Sequence, residues 1–164
     1  ALPTHAHWDH ICGLLDLPDL PVRLHRMERD WVMTGPVAPV GGVRDSLAGR
    51  TTATYELDGP PVLTFTRSHD LFGDGSVVLV DLAGHTPGSV GVLLHTRDGW
   101  VLLAGDAAWH THQIEDVRQK ASYPGGLADA DRAETFRTLH RLHAVRHRVT
   151  VVPAHDHDAA VALS

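Results

Sequence analysis

A single cysteine, Cys12, stands in 164 residues, which excludes an internal disulfide and leaves the redox compartment undecided. No apolar stretch approaches the roughly 20 residues needed to span a bilayer. No run of Lys or Arg is long enough to track phosphates or dock on an anionic membrane, and the formal charge is −6. Nucleic acid and membrane are therefore set aside as partners. No signal-peptide pattern precedes the opening "ALPTHAH", and no repeat, low-complexity tract or linker follows it. One domain over residues 1–164 is the expectation, with the compartment left open and a cytoplasmic one favoured.

Histidine is the excess: fourteen residues, as many as Lys and Arg together. It is the commonest metal ligand and the natural acid or base near neutral pH. Along the chain, "ICGLLDL" predicts a short helix, "PVRLHR" a strand, and residues 35–49, with their prolines and glycines, a loop. From Val62 the runs "VLTFT", "SVVLVDL", "VGVLLHT" and "WVLLAG" predict strands between turn residues. "ADRAETFRTLHRLHAVRH" carries Phe136, Leu139, Leu142 and Val145 at helical spacing behind Asp129 and Asp131 as caps, and "VTVVP" follows as a buried strand. The composition and this alternation predict a mixed α/β fold.

The polar clusters fall at the ends of these elements. In "THAHWDH", His5 and His7 are two apart and point the same way on extended backbone, with Asp9 continuing that face. His10 has the opposite parity and joins Asp9 only if the chain turns there, as a helix starting nearby would make it do. With this chain's His and Asp content, such a pattern arises in on the order of 1% of shuffled versions. "GHTPGS" adds His85, "LLAGDAAW" adds Asp106 and "VVPAHD" adds His155, each after a strand. Five imidazoles and two carboxylates without a thiolate suit zinc, with Fe(II) and Mn(II) left open.

The ordered signature H-x-H-x-D-H, His, Asp, His resembles that of the metallo-β-lactamase-fold hydrolase superfamily, and all seven positions match. The resemblance implies an αββα sandwich. It also implies a first metal held by His5, His7 and His85, a second by Asp9, His10 and His155, and Asp106 bridging both. Two divalent ions, two carboxylates and a bridging hydroxide leave such a cluster at roughly +1, able to hold hydroxide at neutral pH and polarise an ester-type carbonyl. Asp106 and Asp9 are the catalytic candidates, Asp9 or a water handling the proton. Members of the family place several strands before the first motif, where only "ALPT" stands here, so the sandwich is expected to lack its N-terminal strands.

"GHTPGSVGVLL" followed by "LLAGDAAW" is most similar to the N-acyl homoserine lactonase branch. That branch has a tyrosine three residues after the bridging aspartate, where it helps hold the substrate carbonyl; Trp109 occupies this place, and its indole N–H donates but cannot titrate. The reading is a dinuclear hydrolase of a small lactone or ester, acting as a monomer or a homo-oligomer. The alternatives are a mononuclear-iron persulfide dioxygenase and an inactive metal-binding fragment. Set aside as structural are Cys12 as a small buried group, His110 and His112 in a loop, and His140, His143 and His147 on the wet face of a helix. Asp156 and His157 read as a polar turn, while Trp31 and Met33, in the loop-rich stretch, are candidates for a substrate entrance.

Overall fold

Apolar alternation builds the central sheet. In the computed structural model, which describes residues 1–35, 42–122 and 128–163, five strands lie side by side in chain order. They are β3 (Ser68–Asp70), β4 (Val77–Asp81), β5 (Val90–Thr96), β6 (Gly99–Gly105) and β7 (Thr150–Pro153). The first four pair antiparallel. β7 joins β6 in parallel, reached through the crossover helix α5 (Arg132–Val145).

Because strand side chains alternate, Val78, Val80, Leu93, Leu102 and Ala104 face one way and pack on Leu139, Leu142 and Val145 of α5. Leu79, Val90 and Val92 face the other way and meet Tyr55 and Leu57. Tyr55 ends β2 (Thr52–Tyr55), which pairs in parallel with β1 (Val22–His25) as a second, two-stranded sheet. Behind it, Val22 and Leu24 pack on Val32 of α2 (Arg26–Thr34) and on Val43 and Leu47 of α3 (Gly42–Leu47). The layers run helix, sheet, sheet, helix, the expected αββα order. Among the described residues no helix is long and apolar enough to cross a membrane.

The strands read from "SVVLVDL", "VGVLLHT", "WVLLAG", "VTVVP" and "PVRLHR" are present as β4, β5, β6, β7 and β1. "ICGLLDL" forms α1 (Trp8–Ile11) continued by a 3-10 helix, Cys12–Asp16. Three expectations need correction. "VLTFT" is no strand: Val62 and Phe65 exchange both backbone hydrogen bonds at 2.9 Å in a tight turn, Leu63 takes φ +55°, and Phe65 plugs the α5 core. Pro60 and Pro61, which donate no ladder bond, precede it. Within residues 35–49, α3 replaces the predicted loop where Val43 and Leu47 recur one turn apart; residues 36–41 lie outside the described residues. Trp31 and Met33 sit on α2, packed beside the core of that layer rather than in a loop.

Of the two candidate caps for α5, Asp131 serves, accepting from Glu134 N at 2.9 Å. Asp156 caps α6 (His157–Val161) by accepting from Ala159 N at 3.1 Å, and it also accepts from Thr111 N at 2.8 Å, at the start of α4 (Thr111–Glu115). Bonding from Thr111 holds this carboxyl down at about 2. Unfolded, it titrates near 3.9, so its contribution to stability is complete above about pH 4 and is lost as pH falls through the folded value. Asp156→Asn should therefore lower the urea midpoint at pH 7 and weaken the fall in that midpoint between about pH 4 and 2, measured by circular dichroism.

Candidate metal centre

Four chain segments end at one edge of the sheets, and the geometry of each is set locally. His5 and His7 flank Ala6 on extended backbone, with His7 at φ −76°, ψ 158°. The chain then turns into α1, and His10 N bonds His7 O at 3.1 Å, which swings the His10 ring back toward His5. Val90 N bonds Thr4 O at 2.9 Å, tying this segment to the start of β5. His85 follows β4 behind Gly84, whose φ is +131°; a Cβ there would stand 2.3 Å from Thr135 N of α5, so only glycine fits. Asp106 follows β6 and His155 follows β7, and Ala154 N bonds Gly105 O at 3.1 Å, which joins these last two turns.

All seven residues singled out in the sequence come together. His7 Nδ1 lies 2.8 Å from His85 Nε2, and the His5 ring sits 4.9 Å from His7, 4.8 Å from His85 and 4.1 Å from His10 between centroids. Asp9 Oδ2 lies 3.6 Å from His10 Nε2 and 3.5 Å from His155 Nε2. Asp106 stands between: its Oδ1 is 3.2 Å from both His10 Nε2 and His155 Nε2, and its Oδ2 is 3.5 Å from His85 Nε2. Three overlapping sets each have ligand atoms close enough to hold one cation: His5, His7 and His85; His5, His10 and Asp106; and Asp9, His10 and His155, the first and last of which share no residue. A cavity of about 450 Å³ is lined by His7 and His85, by Asp9 and His155, and by Asp106, with Trp109 and Ala128 beside them, while His5 lies buried behind it.

The residues fit a divalent cation. His5 Nε2, His10 Nε2 and Asp106 Oδ1 are buried without a hydrogen-bond partner among the described residues; the last two face each other without hydrogen-bond alignment. Stranding such atoms costs about 1–3 kcal/mol apiece, and nitrogen and oxygen lone pairs aimed at common points are what a borderline cation requires. Burial drives the His5 imidazole down to about 2 and His7 to about 4, with neighbouring imidazoles adding to the effect. Burial likewise lowers His85. These rings keep their lone pairs well below neutral pH. His10 is raised, because the Asp106 carboxylate beside it outweighs its burial. Burial opposes the charge on Asp106, yet the close imidazoles hold it well below the usual carboxylate range.

A buried ion pair supports this cluster and left no trace in the motif spacing. Lys120 Nζ donates to Asp129 Oδ1 at 2.6 Å and to Asp106 O at 2.7 Å, both side chains of the pair being 2% exposed. Asp129 Oδ1 also lies 2.9 Å from His85 Nδ1. A carboxylate only accepts, so Nδ1 carries the proton and His85 turns a bare Nε2 inward. Asp129, read as a helix cap, is thus an orienting group for His85. Trp109 differs from its sequence reading as well: its Nε1–H donates to Asp106 Oδ2 at 2.8 Å, and its ring lies 5.0 Å from Lys120 Nζ.

The residues set aside stay outside the cluster. His110 caps α4, where a loop was expected, by accepting from His112 N. His140 and His147 lie on the wet side of α5 and its exit, while His143 Nδ1 reaches Ile114 O at 2.8 Å. Cys12 is half-buried rather than buried, and His157 is exposed.

The family model described as the metallo-beta-lactamase superfamily matches residues 1–159. The chain belongs to this superfamily. N-acyl homoserine lactonase AttM of Rhizobium radiobacter is 28% identical to this superfamily member over 165 residues, covering 95% of the chain and 57% of the relative. A probable metallo-hydrolase of Mycobacterium tuberculosis is 30% identical over 121 residues, 68% of the chain and 37% of the relative. A solved N-acyl homoserine lactone hydrolase, with the product N-hexanoyl-L-homoserine at its catalytic metal center, superposes with a TM-score of 0.71 at 19% identity. That superposition covers 98% of this chain and 57% of the other, and the likeness is one of fold. The chain spans little more than half the length of the lactonases it matches.

Removing one partner of the buried pair should cost far more than removing both. Asp129→Asn is expected to lose about 3–5 kcal/mol by stranding Lys120, whereas Lys120→Met with Asp129→Leu should recover most of that loss. Urea unfolding of the three chains measures it. A double variant as unstable as the single one would show that the pair itself stabilises the fold.

Proposed function

We propose that this chain carries the catalytic centre of a metal-dependent hydrolase that uses two divalent ions, zinc by preference, on a small ester-like substrate, a lactone or an ester. One observation carries the reading: the two oxygens of Asp106 face two separate groups of ligand atoms, Oδ1 toward His10 and His155 and Oδ2 toward His85. In it, His5, His7 and His85 hold the first ion, Asp9, His10 and His155 the second, and Asp106 spans them. The absence of thiolate and the predominance of imidazole favour zinc over harder cations. When bound, such a pair of ions supplies Lewis acidity, activating a water and polarising a carbonyl oxygen.

The chain's own residues do the rest. Low imidazole pKa values keep His5 and His7 from competing for protons near neutral pH. Asp9, 58% exposed on its side chain, borders the cavity and is placed to accept a proton from an attacking water and return it to the leaving alkoxide. Trp109 and Ala128 wall the space beside it and restrict bulk water on that side. The two groups of ligand atoms favour a dinuclear site over the single iron of a persulfide dioxygenase, and the lactonase relatives favour a lactone among esters. The substrate is thus a small molecule.

Metal analysis of the purified chain should give about two ions, removable by a chelator with loss of lactone or ester hydrolysis and restored by zinc. Asp106→Ala should lower that activity by more than the roughly 10–100-fold typical of losing an outer partner of a ligand, with the far-ultraviolet spectrum unchanged. One tightly held iron, or hydrolysis indifferent to Asp106→Ala, would overturn the reading.

A further inference from the structure

Glu28 is a fully buried acidic residue, 0% exposed, on the first turn of α2 and outside the cluster of five histidines and two aspartates. Its two oxygens serve two different chain segments. Oε1 accepts from Ala6 N at 2.7 Å, and Ala6 is the residue between His5 and His7. Oε2 accepts from Gly88 N at 3.0 Å, and Gly88 closes the turn that presents His85. The approach on the Gly88 side is as close as backbone allows: a Cβ on Gly88 would stand 2.2 Å from Glu28 N and 2.6 Å from Glu28 Cα. One turn earlier, at the end of β1, His25 Nδ1 lies 3.3 Å from Gly88 O, so the same corner of the fold grips both polar groups of this residue.

A carboxylate buried in this way is costly, and an apolar side chain of similar volume would fill the space at less expense. What only a carboxylate offers is two acceptors in one rigid plane, each matched to an amide from a different loop. We propose that Glu28 is a positioning residue whose carboxylate fixes the spacing between the loop bearing His5 and His7 and the turn bearing His85. It thereby sets the size of the pocket for the first cation. Neither of the two Glu28 bonds goes to a residue of the set Asp9, His10 and His155. This rests on the reading of His5, His7 and His85 as ligands.

Glutamine tests it sharply. Glu28→Gln keeps the shape but turns one acceptor into an NH₂ group that faces a backbone N–H, so one of the two loops must lose its bond. Leu139→Ala, a truncation in the α5 core that removes neither Glu28 bond, serves as a control for general destabilisation. Two readouts on the full chain separate the outcomes. In the metal-free protein, the amides of Ala6 and Gly88 should be protected from hydrogen exchange in the wild type, and at least one should exchange roughly tenfold faster or more in Glu28→Gln but not in Leu139→Ala. In zinc titrations against a competing chelator, Glu28→Gln should weaken one of the two binding steps about 10–100-fold and leave the other within about threefold.

Unchanged exchange and unchanged zinc binding in Glu28→Gln would overturn the proposal, as would an equal loss of zinc affinity in Leu139→Ala. Unprotected Ala6 and Gly88 amides in the wild type would overturn it without any variant, which covers the case in which Glu28→Gln does not fold. A wild type that binds no zinc defeats the metal reading, and with it the effect on a cation pocket, while the exchange data still decide whether Glu28 spaces the loops.

Discussion

The rings of His5, His7, His10 and His85 pack at centroid distances of 4.1 to 4.9 Å, so no two neighbours can carry charge together, and this constraint governs the rest of the structure. Two protonated rings at that separation in a buried setting would repel strongly, and each would also lose its hydration. His5 lies at the centre of the group, in ring contact with His7, His10 and His85, and it is the ring whose protonation burial opposes most clearly. A cluster of bare lone pairs with one deep carboxylate, Asp106, is a shape that positive charge completes. The fold must therefore hold the cluster together against its own unsatisfied polarity until a cation supplies that charge.

The means of holding are polar and sit one layer behind the rings. Asp129 fixes the proton on His85, Lys120 balances Asp129 and ties to the Asp106 backbone, and Trp109 takes Asp106 Oδ2. These contacts join β4, β6 and the entry to α5, so the ligand side chains inherit the rigidity of the main sheet. The opening segment hangs from the same sheet through Val90 N and Thr4 O. Gly105, at φ +51°, lets β6 pass close to Thr4, where a Cβ would stand 2.7 Å from Oγ1. Order at the centre is thus a property of packing around it rather than of the ligand residues alone.

This division explains what the sequence discloses. His5, His7, Asp9 and His10 were legible from their close spacing, and His85, Asp106 and His155 because they follow apolar strands that also made β4, β6 and β7 readable. The supporting residues were not legible. Asp129 looks like a helix cap, Lys120 like a surface charge and Glu28 like part of a charged stretch, and their burial depends on partners 9 to 60 residues away. α2 was missed because "RMERDWVMT" shows only Glu28 and Val32 to the interior, a one-turn spacing hidden among charges. "VLTFT" misled in the opposite sense: its apolar content serves to bury Phe65 at a turn, not to extend a ladder. A pattern reports which faces are apolar, while a buried polar contact needs coordinates.

Beside its histidines and aspartates, the cavity is lined among the described residues by Trp109 and Ala128. The Trp109 indole has a single N–H, and Asp106 Oδ2 accepts it. With that donor occupied, Trp109 offers a substrate only its ring, so recognition on this side works through shape and apolar contact. Lys120, whose ammonium is held by Asp129 and the Asp106 carbonyl, is buried behind the indole and does not replace the missing donor. Among the described residues, His7, Asp9, His85, Asp106 and His155 are the polar side chains lining the cavity, and of these Asp9 and His155 are exposed. On the Trp109 side the structure therefore presents an aromatic ring face rather than a hydrogen-bond donor.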